Sequence, residues 1–143
     1  RERKNKGRQR GITEHHVKHL NDHTLYYITA RDPGFFLNHR SWRSKVIWTK
    51  LEDGKMLVDF SNTRDLMDEY PVKDGNVQGS IHTVWVFKSL DPIGEIPQTS
   101  VTFTTRADAR GNLPPIAMNY NGKKFLSVVS DLRKKFDKSK EID

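Results

Sequence analysis

Six histidines, eighteen carboxylate residues and no cysteine are the raw material for chemistry in this 143-residue chain. Four of the histidines, His15, His16, His19 and His23, crowd one stretch. On a helix, His15, His19 and His23 would share a face and could hold zinc through their imidazole nitrogens. On a strand or in a loop they would not converge, and the His-Glu-x-x-His pattern that adds a general base is missing. Asp59, Asp108 and Glu52 fall at turns or strand ends, where carboxylates accept backbone N–H groups or face water. Ser41, Ser61 and Ser80 stand in no nucleophile–base pattern, and there is no glycine-rich phosphate loop. Without cysteine there is no thiol nucleophile, thiolate metal site or disulfide framework, which fits a reducing, intracellular compartment, cytoplasmic or organellar. These residues argue against an enzyme, and neither a metal nor a cofactor is expected.

A second group, Trp42, Arg43, Lys45 and Trp48, mixes aromatic and basic side chains as a base-stacking, phosphate-binding surface would. Strand alternation separates them instead. Trp42, Val46 and Trp48 fall on one face and Arg43, Lys45 and Thr49 on the other, which reads as core tryptophans backed by a solvated basic face. The formal charge of +7 is also unevenly spread. Residues 1–10 carry Arg1, Arg3, Lys4, Lys6, Arg8 and Arg10 against one acid, whereas the remaining 133 residues are nearly neutral. Such an arm, with no apolar residue, is expected to be disordered by itself. It could meet anionic lipid heads at a membrane surface, or the phosphates of RNA, or a partner protein. The chain begins at Arg rather than Met, so residues upstream of it are expected.

The elements that position these residues are mostly strands. Residues 12–20 suit a helix about as well as an irregular strand. Thr24–Thr29 is rich in β-branched and aromatic residues and predicts a strand. Asp32-Pro33-Gly34 ends it. The strand through Trp42 and Trp48 returns as Lys55–Ser61 through Glu52-Asp53-Gly54, a hairpin signal. Residues 62–78 predict a long loop with a helical turn at 64–69. Ser80–Lys88 and Thr99–Ala107 are strands joined by a turn at Asp91-Pro-Ile-Gly94. Five such stretches with no long helix between them predict one antiparallel sheet. Beyond Pro114-Pro115, Phe125, Val128, Val129, Leu132 and Phe136 fall at helical spacing and form one stripe. Asn121-Gly122 could kink that helix. Arg133, Lys134 and Lys135 complement its C-terminal dipole.

Thr24-Leu-Tyr-Tyr-Ile-Thr-Ala30, His39-Arg-Ser-Trp-Arg43, Leu51-Glu-Asp-Gly-Lys-Met-Leu-Val58, Tyr70-Pro-Val72, Gly79-Ser80, Val101-Thr-Phe103 and Ala107-Asp-Ala-Arg-Gly-Asn-Leu-Pro114 occur in the order seen in one family. The chain resembles a START domain, the lipid-transfer module related to the steroidogenic acute regulatory protein. The resemblance covers about residues 12–137, the last two-thirds of such a domain, behind a basic arm at 1–11. The family's N-terminal helix and first strands have no counterpart. Asp32-Pro-Gly-Phe-Phe-Leu-Asn38 replaces its usual Arg-Asp-Phe step.

The resemblance implies an α+β helix-grip fold: a curved antiparallel sheet with the long C-terminal helix packed on its concave face, enclosing one lipid or other apolar molecule. By similarity, Arg40 would be a polar anchor in that tunnel, and Trp42, Phe103, Phe125, Val129 and Leu132 would line it. The strand before Arg40 offers Thr29 and no acid to pair with it, which favours an exposed arginine. Residues 31–36, 62–78 and 108–115 are the candidate gate loops. The alternative is a non-catalytic structural or adaptor subunit of a large assembly, with the same fold but no ligand and with its arm on RNA or a partner protein.

Overall fold

The computed structural model describes residues 11–138. Its strands, in chain order, are β1 (Ile12–Asn21), β2 (Thr24–Arg31), β3 (Arg40–Lys50), β4 (Met56–Asn62), β5 (Val77–Gln78), β6 (Ser80–Ile93) and β7 (Ile96–Asp108). A single helix, α1 (Pro115–Phe136), follows. The sheet is open, in the order β1-β2-β3-β4-β6-β7, and every neighbour along that path is antiparallel. Two-residue β5 pairs in parallel with the start of β3.

Three local expectations change. The ambiguous stretch at 12–20 is a strand, with register shifts near both ends. Its apolar positions fit no period because it is an edge strand, covered on one side only. The turn placed at Asp91–Gly94 lies later, since β6 runs to Ile93 and Ile93 pairs with Ile96. Pro92 is tolerated there because this end of the hairpin extends past β4, whose pairing with β6 stops at Phe87. Asn121-Gly122 does not break α1; the Asn121 side-chain amide instead donates to the Ala117 carbonyl at 2.9 Å. Pro115 opens the helix and the three basic residues occupy its last turn, as expected.

The register sorts the side chains into two faces, because directly paired residues point the same way. On the face that α1 crosses, Trp48, Val58, Trp85 and Phe103 form one continuous row. Leu25, Val46, Phe60, Thr83 and Thr105 form the next. Thr29 pairs with Trp42, and Arg31 with Arg40, near the far end.

The opposite, convex face holds most of the dry core. Tyr26, Ile28 and Ala30 are buried there. Their cover is the segment between β4 and β5, which the structure straps across β1–β3. The Tyr26 hydroxyl donates to Asp65 at 2.9 Å, Lys18 pairs with Glu69, and the His16 and Tyr70 rings lie 4.9 Å apart. The helical turn expected at 64–69 is present as closely wound turns, with Met67 N–H on the Arg64 carbonyl and Tyr70 N–H on Leu66.

Arg43 is the fixing point of this strap, so the expectation of a solvated basic face fails at that residue. It is 2% exposed. Its guanidinium donates to the carbonyls of Tyr70 (2.9 Å), Pro71 (3.0 Å) and Trp42 (3.2 Å) and meets Glu14 Oε2 at 3.4 Å. Alternation placed it correctly away from the tryptophans; what buries it is a loop with no periodicity to read.

Candidate functional site

The concave face is built differently. Trp48, Phe60, Trp85, Phe87, Val101 and Phe103 are all only half-buried, although they belong to the most apolar part of the sheet. Trp85 packs on Phe103 with ring centroids 4.4 Å apart and stacks beside Phe87 at 6.1 Å. Facing them, Phe125, Val128, Val129 and Leu132 of α1 are also half-buried. Phe136, expected in the same stripe, is exposed, as are Ile116, Met118, Tyr120 and Leu126. The Cα atoms of α1 stay mostly more than 8 Å from those of the strands, an ordinary separation for packed elements. Of the hydrophobic residues that are fully buried, only Val46 and Ala117 belong to this side. Sheet and helix thus each present an apolar stripe that stays half-wet.

Arg40 sits beside the start of α1. It is 4% exposed, so the expectation of a surface arginine is corrected. Its Nε donates to the Ala109 carbonyl at 2.8 Å and Nη2 to Arg110 at 3.1 Å, while Nη1 donates to the Asn38 carbonyl. The loop before β3 and the loop before α1 are therefore tied together by one guanidinium. Burial holds its pKa below the ordinary arginine value. Arg110 itself has φ 50°, and the Asp108 carboxylate accepts its N–H at 2.8 Å.

Trp42 is wedged nearby. Its indole nitrogen is buried without an acceptor, and so is the hydroxyl of its strand partner Thr29. Gly79 makes room for the indole, since a Cβ there would lie 2.6 Å from Trp42 Nε1.

The candidate gates divide. Residues 62–78 lie on the convex face and do not border the trough. Residues 31–36 and 108–115 do flank the start of α1. Phe35 and Phe36 both hold left-handed backbones, at φ 59° and 57°, and the Phe35 ring meets Tyr120 of α1 at 6.0 Å. Phe36 is fully exposed.

Of the six expected lining residues, Arg40, Trp42 and Phe103 share the concave face of the sheet, and Phe125, Val129 and Leu132 share the inward stripe of α1. Trp48, Val58, Trp85 and Phe87 were missed as members of this wall. Their signal was present in the alternation of Ser80–Lys88 and in the pairing that hairpins impose. The histidines of β1 do not gather: His15 and His19, four residues apart on a strand, are separated by about 13 Å, and the His15 ring packs edge-on against Tyr27. Among the described residues, no three His, Asp or Glu side chains are placed to hold a metal. A hollow of about 560 Å³ beside Lys50, Leu51, Glu52 and Asp53 lies at the turn of the β3–β4 hairpin. Its lining is largely charged, and it is not the space between the walls. The basic residues Arg1, Arg3, Lys4, Lys6, Arg8 and Arg10 lie outside the described residues. No described helix is long and apolar enough to cross a membrane.

No family model and no curated protein matches the sequence. Solved structures do match its fold. Human STARD10 gives a TM-score of 0.63 at 14% identity, over 87% of this chain and 48% of that one. Human StAR-related lipid transfer protein 5 gives 0.64 at 19%, over 87% and 59%. The lipid transfer and protein localization domain of human StarD13 (DLC2) gives 0.65 at 17%, over 90% and 63%. The chain spans from about half to just under two-thirds of the length of these structures. An open sheet gripping one C-terminal helix, with this strand order, gives the chain the helix-grip fold of START domains.

Proposed function

We propose that this chain is a lipid-binding module that holds one apolar molecule between the sheet and α1, and that it works without catalysing a reaction. The observation carrying this reading is the pair of half-buried apolar walls. On the concave face Trp48, Trp85, Phe87 and Phe103, and along α1 Phe125, Val129 and Leu132, are all only half-buried. Aromatic side chains each have about 150–250 Å² to bury, so leaving a row of them half-wet is costly unless something else covers it. An acyl chain does so at about 0.8 kcal/mol per buried CH₂. About ten methylenes would then outweigh an association cost of roughly 4 kcal/mol or somewhat more. The "lipid transfer" in the names of two structural neighbours agrees with this chemistry.

The mechanism is passive. The ligand enters where the 31–36 and 108–115 loops meet the start of α1, is shielded from water, and leaves by the same route. Arg40 is the joint between those loops, so its hydrogen bonds set how readily the mouth opens. Val129→Asp and Leu132→Asp place a carboxylate on the inner wall, whereas Leu126→Asp places one on the outer surface of α1. Displacement of a fluorescent fatty acid by unlabelled lipid is the assay. The inner substitutions should abolish binding and the outer one should leave it within twofold. Equal behaviour of inner and outer variants would overturn the reading.

A further inference from the structure

The two edges of the sheet are built differently. An edge strand exposes a row of unpaired N–H and C=O groups, and native proteins blunt it with bulges, charges, proline or a cover. β1 is blunted. Register shifts near both its ends break the ladder, it carries Glu14 and Lys18, and the Lys18–Glu69 pair ties it to the strap. β7 is not. It is 13 residues long and pairs with β6 in unbroken register from Asp108 to Gln98. Between Gln98 and Thr105 it holds no charge, proline or glycine, and most of its residues are β-branched or aromatic. Among the described residues nothing pairs with its outer side. Low charge and high β-propensity make such an edge a ready template for another strand.

The side chains of β7 fit a second copy of the same strand. Val101 and Phe103 lie on the concave face, since they pair with Phe87 and Trp85, and both are only half-buried. A two-fold axis through Thr102 sets two such strands antiparallel. Val101 of each copy then faces Phe103 of the other, and Thr99 faces Thr105. On the convex face Thr102 faces its own counterpart, Ser100 faces Thr104, and Gln98 faces Arg106. Aromatic–β-branched pairs and Thr–Thr or Thr–Ser pairs are the favourable cross-strand contacts, and no like charges meet. The half-wet row Trp48–Val58–Trp85–Phe103 continues into Val101 and Phe87 of the other copy. The bulged, lysine-bearing edge of β1 offers no such match, so the pairing closes at two copies instead of growing into a fibre.

We infer that the partner of this edge is a second copy of the chain. β7 pairs with β7 about a two-fold axis at Thr102 and joins both sheets into one continuous antiparallel sheet, with the two α1 helices on the same face. The new ladder adds on the order of eight backbone hydrogen bonds, and its concave side covers Val101 and Phe103 of each copy.

Sedimentation of the full chain between about 1 and 100 μM should give twice the 16.6 kDa of one copy. Thr102→Lys sets two like charges face to face at an exposed position and should weaken the dimer about tenfold or more. The chain has no cysteine of its own, so single thiols report the register. Thr102→Cys should form a disulfide across the axis at least about tenfold faster than Ser100→Cys, whose thiols would lie about 13 Å apart along the strands. The cysteine comparison stands even if Thr102→Lys fails to fold. A chain that stays monomeric throughout overturns the inference, whether hydrogen exchange finds the β7 amides free, as at a bare edge, or protected by a segment of the same chain. A dimer in which the two cysteine variants link at equal rates puts the contact elsewhere and overturns it too.

Discussion

Replacing Arg43 with Met separates a buried strap anchor from a solvated basic residue, because the two cases differ by several kcal/mol. The residue is 2% exposed, and its guanidinium meets the Glu14 carboxylate and donates to the Tyr70, Pro71 and Trp42 carbonyls. Met fills similar volume but leaves the carboxylate and three carbonyls with lost partners. Removing one member of a buried ion pair costs about 3–5 kcal/mol, a large part of the roughly 5–15 kcal/mol that holds a domain together. Glu14→Gln is milder, about 1–3 kcal/mol, since Arg43 keeps its carbonyls. The double variant should lose less than the sum of the singles by about 1 kcal/mol or more, the signature of direct coupling. Urea unfolding followed by tryptophan fluorescence reads all three. With a slope of about 1.5 kcal/mol/M, Arg43→Met should lower the midpoint by roughly 2 M or more. A loss below about 1 kcal/mol, with singles and double strictly additive, would refute the strap and restore the solvated reading.

Gly79→Ala should destabilise the domain by about 1–3 kcal/mol and shift the tryptophan emission, since the new Cβ would meet Trp42 Nε1 at 2.6 Å and the Asp108 carbonyl at 3.1 Å. Phe36→Asn should keep or raise thermal stability, by about 0.5–1 kcal/mol, because Phe36 is fully exposed at φ 57° and Asn adopts that backbone more readily. Acid should weaken the convex strap first. The Tyr26 hydroxyl holds Asp65 below the ordinary carboxylate range, and Lys18 does the same for Glu69. A depressed carboxylate contributes stability that is fully present above its unfolded value of about 4 and is lost as pH falls through the lower folded value. Hydrogen exchange across 63–76 should therefore accelerate below about pH 4, before exchange in β4 and β6 does.

The alternation of Trp42, Val46 and Trp48, and the stripe of Phe125, Val129 and Leu132, were enough to define two apolar walls and the helix between proline start and basic end. Both are local periodicities, and local periodicity survives folding. The length of the β6–β7 hairpin was hidden by Pro92, which reads as a break but lies beyond the neighbouring strand. The burial of the two arginines was not legible, for a common reason. Apart from the neighbouring Asn38 and Trp42 carbonyls, their partners are backbone carbonyls and a carboxylate 27 to 70 residues away, so no sequence pattern announces them. Arg40 was recognised as a candidate anchor only through family resemblance, and the missing acid beside it pointed toward exposure. In the structure backbone carbonyls of Asn38, Ala109 and Arg110 take the place of an acid around it.

All three tryptophans of the chain, Trp42, Trp48 and Trp85, belong to the concave face. Quenching of their fluorescence by a fatty acid brominated along its chain therefore reads the space between sheet and α1 directly. A ligand held there should quench most of the emission in a saturable manner, and Val129→Asp should abolish the effect. Emission that is unchanged at saturating brominated lipid, while the unbrominated form is shown to be bound, would place the lipid elsewhere and contradict the account.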